Sequence, residues 1–126
     1  MEKETINDYF APVILAIAND GIISDSERKV AVKEIKKIFK ENSLKEIEKS
    51  FDATASRIVG ESALIKNRQK LAIKYLDKFD ESEKLQILKI SINSASADRF
   101  HELEKEIITS IVEHYKFSYE KIFFSN

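Results

Sequence analysis

Only two glycines and one proline occur in the 126 residues of this chain, and that scarcity governs what it can become. Sheets of several strands need turn residues at about every 8–12 positions, and Gly-rich phosphate loops need glycine in clusters. Neither is on offer. Long Lys- and Glu-rich stretches run between the few breaks, with apolar residues recurring at helical spacing, so an all-α fold is predicted. A chain of this length buries roughly two-thirds of its unfolded surface, enough for one core and one domain over residues 1–126.

Punctuation divides the chain into a compact bundle of about seven helical segments. The first is expected from about Asn7 to Asn19, with Pro12 tolerated if it lies in the opening turn. Gly21 follows as a stop, and "SDSE" supplies Ser24 and Glu27 as a capping box for a second helix, with Ala31, Ile35, Ile38 and Phe39 inward. A third ends at Gly60, and a fourth spans about Ser62 to Phe79. "DESE" opens a fifth whose later part, "KISINSASA", is small and uncharged on most sides and so reads as central. A sixth covers about His101 to Tyr115, and "SYEKIFF" forms a short seventh. The stretches "ANDGIISDSERKVAVKEI" and "SADRFHELEKEIITSI" share a plan, which predicts two helix–turn–helix units about an approximate two-fold axis.

Several function classes fall away on composition. The chain has no cysteine, so disulfides, thiolate zinc sites and a cysteine nucleophile are excluded. Its 21 basic and 22 acidic residues give no global attraction to nucleic acid. The longest apolar run, "FAPVILAIA", falls short of the roughly 20 residues of a spanning helix, and the acidic "MEKETINDY" ahead of it is unlike a secretory signal. A cytoplasmic protein is expected.

"NDGIISDSE" poses the main chemical question. Asp20, Gly21, Ile23 and Glu27 match the fifth, sixth, eighth and twelfth positions of an EF-hand loop, but Ala16 and Ala18 stand where the first and third ligands belong. An autonomous calcium loop is therefore rejected. A shared site is a different matter: Asp20, Asp25 and Glu27 of one turn could face Asp98, Glu102 and Glu104 of another and hold a hard cation such as Ca²⁺, Mg²⁺ or Mn²⁺. The same acids, lying in first helical turns, are equally explained as caps that complement the helix dipole. Both readings stand at this point.

Other features carry less chemistry. His101 and His114 do not share the i, i+4 spacing of a helical zinc pair, and no Ser or Thr is marked as a nucleophile beside them. Lys29, Lys33, Lys36, Lys37 and Lys40 form a basic stripe that could meet an acidic protein or an anionic membrane surface, or could be a solvated face. The C-terminal aromatics Tyr115, Phe117, Tyr119, Phe123 and Phe124 read as docking residues or as a partner patch.

Taken together, "AIANDGIISDSERKVAVKEI" and "SASADRFHELEKEIITSIVEHYKFS" resemble the two motifs of the tellurite-resistance TerB-like family. Arg99 stands where that pattern has its second glycine, and the second turn is one residue shorter. The resemblance implies a bacterial stress-response helper domain that is not an enzyme and has an unidentified protein partner. It further implies weak binding of a divalent cation by Asp20 and Glu27 with Asp98 and Glu104, joined by Asp25 and Glu102, in some cases at the inner face of the membrane. The alternative is an interaction module that uses the basic stripe or the aromatic C-terminus, with the acids serving only as caps.

Overall fold

The structure, a computed structural model, describes residues 5–18, 23–61, 65–97 and 102–118. Among these, every regular element is helical: α1 (Ile6–Ile17), α2 (Asp25–Ile38), α3 (Leu44–Glu61), α4 (Ile65–Leu76), α5 (Glu81–Ser96) and α6 (Glu102–Tyr115). The seventh segment expected at "SYEKIFF" lies, from residue 119 onward, outside the described residues. None of the described helices is long and apolar enough to cross a membrane.

Helix α1 is the centre. Every residue from Tyr9 to Ala18 is buried, and α1 touches all five other helices. A helix apolar on every side has no solvent face to keep, so the others wrap it. Its start is set by Thr5, whose hydroxyl accepts from the Asp8 N–H while the Asp8 carboxylate accepts from the Thr5 N–H at 2.8 Å. This capping box lies two residues before the start expected from the sequence. Pro12, expected in the opening turn, falls in the helix interior, and one backbone hydrogen bond is forgone there. Burial of Phe10, Val13, Ile14, Leu15 and Ile17, each fully enclosed, offsets that loss at about 1.5–3 kcal/mol per side chain.

One end of the bundle is organised around Tyr9. Its ring packs edge-on against Phe39, at the end of α2, with centroids 5.3 Å apart. On its other side lies Phe79, in the turn after α4, at 4.9 Å. The Tyr9 hydroxyl donates to Glu83 Oε2 at the start of α5. At this pole, then, α1 and α5 begin while α2 and α4 end. The opposite pole gathers the C-terminal ends of α1 and α5 and the N-terminal ends of α2 and α4. Arg68, in the second turn of α4, donates to the Leu15 carbonyl near the end of α1 at 2.8 Å. Tyr115 closes α6 against the end of α4, its hydroxyl donating to Asp77 Oδ1 at 2.5 Å and lying 3.1 Å from the Ile73 carbonyl oxygen. Helix α6 therefore also starts at the Arg68 pole.

The later half of α5 is central, as its composition predicts. Ile87, Leu88, Ile90, Ser91, Ser94 and Ala95 are buried, and Ser91 and Ser94 return their hydroxyls to the Ile87 and Ile90 carbonyls. No polar group there needs water. Helix α6 ends at Lys116, whose φ of 58° lets the Phe117 N–H donate to the Val112 carbonyl in a Schellman-type stop.

Asp8 ties the Tyr9 pole together electrostatically. Partial burial raises its pKa, but hydrogen bonds from Lys78 and Thr5 outweigh burial and hold the carboxyl below its ordinary value. The folded protein thus binds fewer protons here than the unfolded chain. The resulting stability is full above the unfolded pKa and is lost as pH falls through the folded one. Asp8→Asn should therefore flatten the loss of thermal stability measured between about pH 5 and about pH 3, relative to wild type.

Candidate functional site

Glu27 sits at the third position of α2, three residues after its N-cap. One oxygen, Oε1, accepts from the Ser24 N–H at 3.0 Å, while Ser24 Oγ accepts from the Glu27 N–H at 3.1 Å. That is the capping box expected from "SDSE". Capping accounts for Oε1 alone. The side chain is buried, with 4% of its surface exposed, and Oε2 has no hydrogen-bond partner among the described residues.

Other capping boxes in the same chain show what is unusual here. Glu83 plays the same part for Asp80 at the start of α5, but its second oxygen receives the Tyr9 hydroxyl. Glu46 caps with Ser43 at the start of α3 and is solvent-exposed. A cap does not require a dehydrated second oxygen, and leaving one without a partner costs about 1–3 kcal/mol or more for a charged group.

Glu104 occupies the same helical position in α6 and is fully buried at 0% exposure. Glu27 and Glu104 are the two buried carboxylates among the described residues, and Arg68 is the one buried cation. All three open an inward stripe at spacing of four: Glu27–Ala31–Ile35, Glu104–Ile108–Val112 and Arg68–Ala72–Leu76, each apolar member being buried. All three also lie toward the pole where α2, α4 and α6 begin.

The other expected ligands are placed differently. Asp20 and Asp98 lie outside the described residues, as does His101. Asp25 is exposed and lines a groove between α2 and α3. Glu102 is exposed and pairs with Lys105 at 3.7 Å. Among the described residues no group of three or more His, Cys, Asp or Glu side chains is arranged to hold a metal ion. Glu27, Glu104 and Arg68 are thus the buried charged side chains among the described residues, each close to the start of its own helix.

The basic stripe divides in two. Lys29, Lys33 and Lys36 line the α2–α3 groove, whereas Lys37 pairs with Glu34 at 3.5 Å and Lys40 is exposed beyond the end of α2. Lys36 also donates to the Lys40 carbonyl at 2.9 Å. His114 is exposed and packs edge-on against Tyr115. Of the C-terminal aromatics, Tyr115 and Phe117 stack with centroids 5.4 Å apart, and the rest lie outside the described residues.

Sequence reasoning missed Arg68 and Leu44. Arg68 was detectable, because it continues the Ala72–Leu76 stripe by one turn, an inward position for a charged residue. Leu44, at the first position of α3, gives no such signal, since its exposure depends on how α3 meets α2. No family model matches this chain, and no curated protein or solved structure matches it either.

Glu27→Gln keeps an oxygen for the Ser24 N–H and removes the charge, whereas Glu27→Ala removes both. In metal-free buffer the Gln variant should lie within about 1 kcal/mol of wild type, and the Ala variant should lose about 1–2 kcal/mol, by chemical denaturation. Equal losses in the two would mean that the negative charge itself holds the fold.

Proposed function

We propose that this chain is a non-enzymatic helper domain, TerB-like in plan, that holds one divalent cation at the pole where α1 and α5 end and α2 and α6 begin. The observation that carries this reading is the buried second oxygen of Glu27, which capping leaves unexplained. Glu104 supports it as a second buried carboxylate at the equivalent helical position. The matching stripes behind Glu27 and Glu104 support two related helix–turn–helix units, and the common direction of α2 and α6, which both begin toward the same end of the bundle, supports a site shared between them.

The donor type suits such an ion. Carboxylate oxygens are hard donors suited to Ca²⁺, Mg²⁺ or Mn²⁺. Glu27 and Glu104 would hold it from the helices, with Asp20 and Asp98 supplying ligands from the corners. Asp25 and Glu102, directed elsewhere, would join only through rearrangement. Arg68 brings a positive charge to the same pole and limits how strongly a cation is attracted, so binding is weak. The cation would neutralise the carboxylates and fasten the two corners to each other. In this reading the domain acts in a bacterial stress response, in the cytoplasm or at the inner face of the membrane, by presenting the fastened corners to a protein partner.

Titration with Ca²⁺, Mg²⁺ and Mn²⁺, followed by calorimetry and, for the diamagnetic ions, by amide chemical shifts, tests this directly. One of them should bind with a Kd of about 10⁻⁴–10⁻³ M. Shifts should centre on Gly21, Glu27 and the residues around Asp98, and Asp20→Ala and Glu104→Gln should each weaken binding at least about tenfold. Silence at millimolar metal, or an unchanged response in Asp20→Ala, would leave the acids as caps alone.

A further inference from the structure

Helices α2 and α3 run antiparallel through the short turn at residues 39–43, and a groove of about 540 Å³ lies along their junction. Its floor includes Val32, which is buried, and its rim includes Leu44, which is 52% exposed and is the exposed large hydrophobic side chain among the described residues. Arg28 fixes one end: its guanidinium donates to both Asp52 oxygens at 2.9 Å and lies 3.5 Å from Glu48. The hydrogen bond from Arg28 holds Asp52 below the ordinary carboxylate pKa, so the clasp stays ionised at neutral pH.

With Arg28 committed to that clasp, the wall of the groove is cationic. Lys29 and Lys33 are exposed and make no ion pair or hydrogen bond among the described residues, and Lys36 follows one turn later. These three ammonium groups span roughly 10 Å of α2, about two helical turns. Asp25 and Glu48 interrupt the positive surface.

We infer that this groove docks an acidic amphipathic helix of a partner protein. Carboxylates at i, i+4 and i+7 on such a helix match the spacing of Lys29, Lys33 and Lys36, and one apolar side chain between them fills the slot between Val32 and Leu44. A discrete apolar slot flanked by spaced cations recognises a helix. A bilayer surface or a nucleic-acid backbone presents unbroken negative charge, which Asp25 and Glu48 oppose. The inference does not require a metal at Glu27 and Glu104.

The test uses a labelled helical peptide with Glu at i, i+4 and i+7 and a Leu on the same face, against the whole chain, by fluorescence anisotropy. A peptide of identical composition in permuted order, phosphatidylserine vesicles and duplex DNA serve as comparisons. The patterned peptide should bind more tightly than the permuted one and weaken as salt rises. The double variant K29E/K33E should lose at least about tenfold in affinity, and L44S several-fold, while K37E, outside the groove, should stay within about twofold. Both lysines are exposed, so circular dichroism should show an unchanged fold. Equal binding of the permuted peptide, no effect of K29E/K33E, or binding of vesicles or DNA without the peptide would each overturn the inference.

Discussion

A helix that is apolar all round is stable in water only when other helices cover it on every side. That requirement on α1 shapes the rest of the molecule. From Tyr9 to Ala18 every residue is buried, and each of the other five described helices supplies part of the cover. The Tyr9 ring and hydroxyl then fix direction, because they bring the start of α5 and the ends of α2 and α4 to the start of α1. Helices joined by short connections and anchored at one end have little choice at the other. The beginnings of α2, α4 and α6 lie toward the end of the bundle where α1 and α5 finish, with α4 packed on α6 and α2 on α5.

That pole collects the charges the core would otherwise exclude. Glu27, Glu104 and Arg68 each take the last inward position of a stripe that is apolar over its remaining length. Positions at the edge of a core are where a charged group can be dehydrated on one side and still face an ion, a water or a partner chain on the other. Arg68 spends one of its donors on the Leu15 carbonyl, near the C-terminal end of α1, where a helix dipole favours positive charge. Glu27 spends one oxygen on its own N-cap. The remaining oxygen is a polar atom that this fold buries without a hydrogen bond among the described residues.

Much of this was legible from the chain alone, and the exceptions share a cause. The all-helical class, the boxes at Ser24 and Asp80 and the central later half of α5 follow from local rules of spacing and capping. The start of α1 is marked by Thr5 and Asp8, with an Asp in place of the usual Glu or Gln of a capping box, and from there Pro12 falls in the helix interior. Burial of Glu27 was ambiguous, since an acid three residues after a serine satisfies a cap whether or not the core covers it. Its place one turn ahead of Ala31 and Ile35 was the available clue, and Glu104 and Arg68 repeat it. The α2–α3 groove depends on the packing of two helices and on the Arg28–Asp52 pair, neither of which leaves a periodic trace.

Paramagnetic line broadening by Mn²⁺ tests the shared pole most directly, because it reports distance to one bound ion for every amide at once. Binding at a site built from both corners predicts that the amides of Gly21, Glu27, His101 and Glu104 broaden together, at the same metal ratio, before the exposed acids Glu46 and Glu81 at the Tyr9 pole are affected. Broadening of one corner without the other, or spread evenly over surface carboxylates, would contradict a site held in common by the two helix starts.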